Sequence, residues 1–377
     1  MIFVATCLFG LEGLLGEEID LLGYKRLSTI DVRIAFEGPP AAAAECNVNL
    51  RFAERLYVSV GSFKAYRFDE LFENTRELDW GEYIGSDDAF PVKGHSVRSK
   101  LYSIPDCQKI IKKAVVKSLS SVYGKEYFDE SGVKYQIEFF ILNDTVTLMI
   151  DTSGEGLHKR GYRALSGVAP LRETLAAAMV KLSRPRENVI ICDPLCGSGT
   201  IAIEAALYVT HTAPGLNRRF AGEKFAFLPE NSWREARLRA KSLITAPFTQ
   251  VFGSDIDKGA LAVARENAEK AGVADACVFL EADAAQFVSP VSEARGTIIT
   301  NPPYGERIGD LESARALYRT IGERFAVLVP SWQMYIITSD NEFERYFGRR
   351  ADKKRVLYNG MIKCSLYQFF KRGSTKR

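Results

Sequence analysis

The segment with the clearest chemical potential is Asn301-Pro302-Pro303-Tyr304, which follows an apolar run at residues 297–300. Two consecutive prolines remove two backbone donors and fix two φ angles, so the chain should leave a strand through a stiff turn. Such a turn can direct the Asn301 side-chain oxygen and the Pro302 carbonyl into one small volume, with the Tyr304 ring beside it. A nucleobase amine placed there would donate to both oxygens, which makes its nitrogen more nucleophilic. The alternative interpretation is a proline-rich loop that only ends a strand.

A second candidate site is the glycine-rich turn Asp193-Pro194-Leu195-Cys196-Gly197-Ser198-Gly199-Thr200. It lies between an apolar run typical of a buried parallel strand, at residues 188–192, and a predicted helix at residues 201–209. A strand, a glycine-rich turn and a helix form the nucleotide-binding opening of a doubly wound sheet. The turn has no phosphate-loop lysine and does not match Gly-x-Gly-x-x-Gly. With Asp193 at the strand end, it favours a nucleoside bearing a zwitterionic amino acid over a pyrophosphate.

Acidic residues end the next two predicted strands. Asp255 and Asp257 close the strand at residues 250–257, and Asp283 follows the strand at residues 277–281. A carboxylate after the second strand can accept hydrogen bonds from both ribose hydroxyls, although Asp257 could instead cap the helix that begins at residue 258. Asp283 is expected beside an adenine amino group. Because parallel strands open at one sheet edge, a single pocket should hold a nucleoside cofactor and the Asn301 turn.

Length and composition indicate two or three domains without a membrane span. The chain has 377 residues, of which 46% are hydrophobic, and no uncharged apolar run reaches the length of a membrane helix. The apolar start lacks a preceding basic region, so no signal peptide is predicted. Seven cysteines without a Cys-x-x-Cys pair, and three separated histidines, predict a reduced cytoplasmic protein with no structural metal. The net charge of +3 divides into an acidic first 160 residues and a basic remainder.

The first half of the chain predicts small α/β elements. Strands are expected at residues 2–7, 27–36, 56–60 and around 89–100, and helices at residues 11–22, 41–53, 69–78 and after Pro105. A hairpin with the turn Asn143-Asp144 should join strands at residues 135–142 and 145–150.

Cations in this half form a candidate RNA-phosphate patch. Helical spacing puts four lysines on one face of the helix after Pro105, and Arg98 and Lys100 should alternate onto one side of the preceding strand. The lysines are Lys109, Lys112, Lys113 and Lys117. The alternative is a solvated helix face. The glycine-rich stretch at residues 151–163 reads as a linker whose Lys159 and Arg160 can also contact phosphate, whereas His158 is expected to pack or hydrogen-bond.

Two later regions complete the pattern. Residues 210–249 form a basic, aromatic insertion with helical spacing at residues 233–244, which predicts either an extra helix with a polar face or a cover for the cofactor or substrate. Strands at residues 332–338, 355–358 and 361–370 follow, and Asn359-Gly360 predicts a type I′ turn between the last two.

Four motifs in this order carry a resemblance that spans essentially the whole chain. They are Leu157-His158-Lys159-Arg160-Gly161-Tyr162-Arg163, the turn at residues 193–200, Asn301-Pro302-Pro303-Tyr304-Gly305-Glu306-Arg307, and Tyr358-Asn359-Gly360-Met361. The sequence resembles the THUMP-domain class I S-adenosylmethionine-dependent RNA methyltransferases, specifically the bacterial 23S rRNA guanine-N2 type. Members were often labelled N6-adenine-specific DNA methylases because of their Asn-Pro-Pro-Tyr.

The resemblance implies an α/β protein whose Rossmann-like methyltransferase domain has a seven-stranded, mostly parallel sheet, preceded by an α+β ferredoxin-like and THUMP region. The implied parts are a ferredoxin-like segment at residues 1–60, a THUMP domain at 61–155, a linker at 156–170 and the methyltransferase domain at 171–377. S-adenosylmethionine is the implied cofactor, with S-adenosylhomocysteine as product and no metal. The implied partner is RNA, 23S rRNA ahead of tRNA, for a monomer or weak homodimer.

The site residues divide into three sets. The catalytic set is Asn301, Pro302, Pro303 and Tyr304. The cofactor-binding set is Asp193, Pro194, Cys196, Gly197, Ser198, Gly199, Thr200, Asp255, Ile256, Asp283, Ala284 and Asn301. The RNA-binding set is Arg98, Lys100, Lys109, Lys112, Lys113, Lys117, Lys159 and Arg160.

The Asn-Pro-Pro-Tyr turn leaves other functions open. A tRNA guanine-N2 methyltransferase, a DNA adenine-N6 methyltransferase and a protein glutamine-N5 methyltransferase can all use it. A non-catalytic RNA-binding protein for ribosome assembly is the alternative outside the enzymes.

Overall fold

The computed structural model describes residues 1–163, 171–305, 310–328 and 331–370, which form two compact units. The first unit contains Met1–Cys7, Gly16–Leu157 and Arg219–Arg239. The second contains Leu8–Leu15, His158–Arg218 and the described part of Ala240–Arg377. Each unit is therefore assembled from separate stretches of the chain.

A seven-stranded sheet organises the first unit, in the order β2-β3-β1-β4-β7-β6-β5. Only β5 and β6 pair in parallel; the other neighbours are antiparallel. The strands are β1 (Ile2–Cys7), β2 (Lys25–Ile30), β3 (Arg33–Glu37), β4 (Ala53–Lys64), β5 (Val92–Val97), β6 (Ile137–Leu142) and β7 (Thr145–Asp151). The first four helices are α1 (Glu12–Leu21), α2 (Ala42–Asn49), α3 (Phe68–Arg76) and α4 (Ile104–Tyr123).

A seven-stranded, mostly parallel sheet organises the second unit, as expected, in the order β10-β9-β8-β11-β12-β14-β13. Its strands are β8 (Val189–Asp193), β9 (Val251–Asp255), β10 (Cys277–Glu281), β11 (Arg295–Thr300), β12 (Trp332–Thr338), β13 (Lys353–Asn359) and β14 (Ile362–Phe369). Strand β14 runs antiparallel to both neighbours. The remaining helices are α5 (Glu173–Ser183), α6 (Thr200–Val209), α7 (Ser232–Ser242), α8 (Lys258–Ala271), α9 (Asp310–Ala326) and α10 (Phe343–Phe347).

The core of the second unit explains why these strands are central. β11 and β12 carry consecutive apolar residues, as expected of strands covered on both faces. Ile298 and Ile336 are fully buried, and they share one cluster with the α9 side chains Tyr318, Ile321 and Phe325. Burying this apolar surface fixes β11, and with it the start of the Asn301 turn, at the middle of the sheet.

The hairpin at Asn143-Asp144 is confirmed, but the single strand predicted at residues 27–36 is wrong. That stretch is the hairpin β2/β3, in which Ile30 pairs with Arg33 across Asp31-Val32. Val32 has φ 59°, a conformation that β-branched residues rarely adopt. The turn therefore has no glycine or asparagine to mark it.

The strand predicted around residues 89–100 is also shorter than expected. β5 ends at Val97, and Arg98 follows with φ 49°. The Lys100 backbone N–H then donates to the Asp144 carboxylate at 2.7 Å. Arg98 and Lys100 consequently belong to a turn and do not alternate along a strand.

The final hairpin forms, but its turn is not type I′ at Asn359-Gly360. Asn359 pairs with Ile362 as a strand residue, which leaves Gly360-Met361 as the two-residue loop. Only Gly360 in this loop has a positive φ, 65°, the pattern of a type II′ turn. Asn359 is held in the strand because its Oδ1 accepts from the Arg172 backbone N–H at 3.2 Å.

The predicted extra helix in the insertion is α7, and the segment Arg219–Arg239 packs within the first unit. The Phe225 ring stacks on Tyr135 with a centroid distance of 4.3 Å. The Gly222 backbone N–H donates to the Thr152 carbonyl at 2.9 Å. None of the helices in the described ranges qualifies as a membrane-spanning segment.

Candidate active site

A cavity of about 700 Å³ opens at the carboxyl ends of the parallel strands in the second unit. Loops that follow β8, β9, β10 and β11 all contribute to its wall. The sequence-predicted residues that line it are Pro194, Gly197, Asp255, Ile256, Asp283, Ala284, Asn301, Pro302, Pro303 and Tyr304. The structure therefore brings the glycine turn, the two acids and the Asn-Pro-Pro-Tyr turn to one place.

The glycine turn is fixed to β9 by two hydrogen bonds that its backbone N–H groups donate. The Cys196 N–H donates to the Ser254 carbonyl at 2.9 Å, and the Gly197 N–H donates to Asp255 Oδ2 at 2.9 Å. Gly197 has φ 50°, and a Cβ added there would meet no protein atom within 4 Å. The backbone at Gly197 thus faces open space in the cavity, where a ligand can approach it closely.

Asp255 lies on the cavity wall in a fixed orientation. Its Oδ2 accepts from Gly197, and its Oδ1 accepts from the Asp257 N–H at 3.0 Å. Asp257 itself caps α8, accepting from the Gly259 and Ala260 N–H groups. The sequence left open whether Asp257 contacts a ligand or caps the next helix. In the structure Asp257 caps α8, and Asp255 is the carboxylate that lines the cavity.

Asp193 does not line the cavity, which corrects the expectation that it touches the ligand. It is 2% exposed, and its Oδ1 accepts from the Thr300 hydroxyl at 2.7 Å and from the Leu195 N–H at 3.2 Å. Burial raises the pKa of this carboxyl to about 7. Asp193, the last residue of β8, is therefore hydrogen-bonded to Thr300, the last residue of β11, beneath the cavity wall. The predicted ligands Cys196, Ser198, Gly199 and Thr200 also lie off the cavity wall.

Hydrogen bonds hold the Asn-Pro-Pro-Tyr turn from two directions. The Tyr304 hydroxyl donates to Asn301 Oδ1 at 2.6 Å, and the Tyr318 hydroxyl of α9 donates to the Pro303 carbonyl at 2.6 Å. Because a carbonyl oxygen has two lone pairs, Asn301 Oδ1 keeps acceptor capacity toward the cavity. The sequence prediction gave Tyr304 only a stacking role and did not anticipate that its hydroxyl would orient Asn301.

Several cavity residues were not predicted from the sequence. Helix α9 contributes Asp310, Ser313, Ala314 and Leu317, and the final hairpin contributes Asn359 and Ile362. Leu195, Ala282 and Gly305 complete the wall. Asn359 stood in a quoted motif but was interpreted as a turn residue. Glu306 and Arg307 of the same motif set lie outside the described residues.

The motif at residues 157–163 does not present its arginines to solvent. Arg160 is 3% exposed and forms an ion pair of 3.3 Å with the fully buried Glu204 of α6. Arg163 pairs with Glu173 of α5 at 3.3 Å and donates to the Thr200 hydroxyl. The expected contact of Arg160 with RNA phosphate is therefore wrong, because its charge is already neutralised inside the protein. Lys159 remains exposed.

Only part of the predicted lysine row is available on α4. Lys109, Lys113 and Lys117 are exposed at intervals of one helical turn. Lys112 is half-buried, pairs with Glu130 and donates to the Phe90 carbonyl at 3.1 Å. The Lys100 ammonium lies 4.9 Å from the centre of the Tyr66 ring. Three of the four helix lysines thus keep the predicted arrangement.

A second cavity, of about 890 Å³, lies within the first unit and was not predicted. No residue of α4 lines it. Its cationic wall residues are Arg55, Lys93, Lys134, Arg219 and Lys224, and its acids are Glu138, Asp151 and Glu155. Arg55 is paired with Asp151, whereas Lys93, Lys134 and Lys224 are exposed. No sequence pattern marks this cavity, because these lysines come from three distant stretches.

Strand order and loop positions define the class of protein. In the second unit, a glycine turn follows the first strand in chain order, an acid the second, Asp283 the third and Asn-Pro-Pro-Tyr the fourth. This arrangement around one cavity is that of a class I methyltransferase. Among the described residues, no group of three or more His, Cys, Asp or Glu side chains could hold a metal ion.

Comparison with known families extends this assignment to the whole chain. Residues 160–368 match the family described as RMKL-like, methyltransferase domain. Residues 2–57 match the RlmL ferredoxin-like domain, and residues 65–151 match the THUMP domain. The chain therefore belongs to the family of THUMP-domain, S-adenosylmethionine-dependent RNA methyltransferases, as its motifs indicated.

Three similar proteins align over nearly their full length. YpsC of Bacillus subtilis (strain 168), whose name proposes an RNA methyltransferase, is 42% identical over 99% of this chain and 97% of its own. A structure from Listeria monocytogenes str. 4b F2365, named a predicted N6-adenine-specific DNA methylase, is 43% identical, with a TM-score of 0.91 and coverage of 98% and 96%. SMU.472, a proposed methyltransferase crystallised with S-adenosylhomocysteine, is 38% identical, with a TM-score of 0.90 and 99% coverage of both chains.

Proposed function

We propose that this protein transfers a methyl group from S-adenosylmethionine to the exocyclic N2 amine of a guanosine in RNA, and that 23S rRNA is the target. The observation that carries the proposal is the shared cavity. Asn301 and Pro302, the candidate acceptors for an amine, line the same space as Gly197, Asp255 and Asp283. Transfer requires the methyl donor and the receiving nitrogen to meet, and this cavity has groups suited to each.

The residues from β8, β9 and β10 suit the methyl donor. Open space over Gly197 allows close approach to the backbone, and Asp255 offers a fixed carboxylate to the ribose hydroxyls. Asp283 accepts from the Ala285 N–H at 2.8 Å and lines the same wall, where it can accept from an adenine amine. When bound, S-adenosylmethionine supplies an electrophilic methyl group.

The residues after β11 suit the amine. Asn301 Oδ1 and the Pro302 carbonyl would each accept one N–H, which localises the nitrogen lone pair toward the reacting centre. Tyr304 orients Asn301 through its hydroxyl and offers its ring to an unstacked base. No strong general base is required, because the amine proton can leave after the methyl group has been transferred.

An RNA substrate is supported by the THUMP match and by exposed cations in the first unit. Two groups of lysines offer phosphate contacts: the α4 lysine row, which is Lys109, Lys113 and Lys117, and the cleft lysines, which are Lys93, Lys134 and Lys224. All seven cysteines are buried and form no disulfide bond in the described part of the chain, which suits the reducing cytoplasm that we propose as its location. We further propose that the enzyme acts as a monomer or weak homodimer.

A second candidate function is adenine-N6 transfer to DNA. An Asn-Pro-Pro-Tyr turn serves an adenine amine as well as a guanine amine, and the Listeria relative is named for that activity. The THUMP domain favours RNA over this candidate.

A side-by-side transfer assay tests these proposals. Purified protein with radiolabelled S-adenosylmethionine would receive 23S rRNA, tRNA, duplex DNA and a release factor, with Asn301→Ala as the inactive control. We expect label on N2-methylguanosine in 23S rRNA, identified by nucleoside mass spectrometry. Label on tRNA guanosine would overturn 23S rRNA as the proposed substrate but keep guanine-N2 transfer. Label on DNA adenine or protein glutamine would overturn guanine-N2 transfer itself. Label on none of the four would support a non-catalytic RNA-binding role.

A further inference from the structure

Asn359 is a nearly buried side chain on the cavity wall to which the proposed function assigns no task. It is 8% exposed and ends β13, one residue before the Gly360-Met361 loop. Its Oδ1 accepts from the Arg172 backbone N–H at 3.2 Å, at the start of α5. Its Nδ2 donors have no acceptor among the described residues. Donors that no described residue receives are available to a group that enters the cavity.

The orientation of this amide is fixed by its one hydrogen bond. Only the oxygen of a carboxamide can accept from a backbone N–H, so Oδ1 must face Arg172. The Nδ2 group is then on the other branch of the amide. Because Asn359 lines the cavity, that space is where its donors can find a partner.

The strand order of the sheet indicates that the target base, and not the cofactor, is the partner of Asn359 Nδ2. The candidate cofactor residues follow β8, β9 and β10, which lie on one side of β11. Asn359 and Ile362 come from β13 and β14, on the other side of β11. The Asn301 turn lies between the two groups. A base whose amine is held by Asn301 and Pro302 would extend toward Asn359, away from the cofactor residues.

We propose that Asn359 positions the target base by donating from Nδ2 to guanine N3. This inference rests on the proposed guanine-N2 transfer. The N2 amine of guanine is flanked by the N1–H donor on one side and the N3 acceptor on the other, so an amide donor has a partner only at N3. Paired in this way, Asn359 fixes the rotation of the base about its amine, and this alignment sets how well the nitrogen meets the methyl group.

The substitution Asn359→Asp separates this task from the structural one. Aspartate keeps an oxygen for the Arg172 N–H but has no donor for the base, whereas Asn359→Ala loses both. For Asn359→Asp we expect a protein that still folds and an unchanged Kd for S-adenosylhomocysteine, with kcat/KM for RNA lowered about 10- to 100-fold. Asn341→Asp, at an exposed position of the same unit, makes the same charge change and should leave every value unchanged.

A modified substrate tests the partner atom. An RNA fragment with 3-deazaguanosine at the target position lacks the N3 acceptor, so wild-type kcat/KM should fall by a similar factor. In Asn359→Asp the same replacement should have little further effect, because the interaction is already gone. The role of Asn359 would be overturned if Asn359→Asp kept the wild-type kcat/KM. It would also be overturned if the substitution and the 3-deazaguanosine replacement lowered kcat/KM independently of each other. Either result would leave the proposed guanine transfer intact. No transfer by wild-type protein to natural RNA would overturn the proposed function, and this inference with it.

Discussion

Asn301 is the residue on which the proposed chemistry depends most directly. Asn301→Ala removes one of two amine acceptors while leaving the loops after β8, β9 and β10 intact. We expect kcat to fall at least about 100-fold, with the Kd for S-adenosylhomocysteine near wild type. Steady-state kinetics and calorimetry measure the two quantities. An equal loss of cofactor affinity and turnover would mean that Asn301 contacts the cofactor, contrary to its proposed role as an amine acceptor. Asn341→Ala, at an exposed position, serves as the control.

Asp255 and Asp257 form a matched pair for testing the cofactor half. Asp255→Ala removes the carboxylate that lines the cavity and orients Gly197, so the Kd for S-adenosylhomocysteine should rise about 10-fold or more. Asp257→Ala removes a helix cap and should instead lower the free energy of unfolding by about 1 kcal/mol, with a smaller effect on affinity. Calorimetry and urea titration distinguish them. Unchanged affinity in Asp255→Ala would count against its role with ribose.

Asp193 should give the protein a measurable pH dependence. Its folded-state pKa, about 7, is raised by burial above the ordinary value of 3.8, so folding favours the protonated carboxyl. Its contribution to stability is therefore fully present below pH 3.8 and is lost as the pH rises through about 7. Asp193→Asn has no such titration. We expect the difference in urea midpoint between variant and wild type to grow from pH 4 to pH 7, and parallel curves would contradict this.

The motif at residues 157–163 acts at the scale of elements, because it fastens the chain to α5 and α6. Arg160→Met leaves the Glu204 carboxylate buried without its counter-ion, which should cost about 3–5 kcal/mol of stability. Lys159→Met, at the exposed neighbouring position, should change stability by less than about 0.5 kcal/mol. Chemical denaturation followed by circular dichroism compares the two. Similar stability in both variants would mean that the buried pair does not anchor this segment.

Elements with an uninterrupted pattern could be predicted closely from the sequence. β10 and β12 begin and end where predicted, and α8 begins where predicted, since continuous apolar runs and a capped amphipathic helix have clear limits. The β2/β3 hairpin could not be predicted, because its two-residue turn, Asp31-Val32, contains neither glycine nor asparagine and puts the positive φ on a valine. The final hairpin was shifted by one position because Asn359-Gly360 looks like a turn pair, whereas Arg172, far away in sequence, holds Asn359 in the strand.

The same limit explains the errors within the site. The cavity-lining residues of the Asn301 turn could be predicted because adjacent residues in one loop act together. Asp193 and Arg160 were assigned to ligands because they are polar and stand in recognisable motifs. Their actual partners, Thr300 and Glu204, lie on other elements, and only the folded chain brings these groups together and buries them.

At the scale of the whole molecule, two sets of lysines are alternative candidates for the RNA-binding surface. Replacing the cleft lysines Lys93, Lys134 and Lys224 by alanine, or the α4 lysine row in the same way, removes three charges in each case. Replacing the set that contacts phosphate should weaken RNA binding. It should also lower the slope of log K against log salt by about 2–3. Binding measured by fluorescence anisotropy at several salt concentrations compares the two triple variants. No change in either would exclude both surfaces.

The separate stretches that make up each unit limit how this protein can be divided or recombined. A polypeptide cut after Leu157 would lose Arg219–Arg239 from its first unit, and Tyr135 would lose the stacked ring of Phe225. The complementary piece would lack Leu8–Leu15, which includes the buried side chains Leu11 and Leu15. Gene fusions that exchange the THUMP-containing half for another at this border would therefore leave both products with exposed apolar surface. Such exchange can succeed only if the interleaved segments are transferred as well.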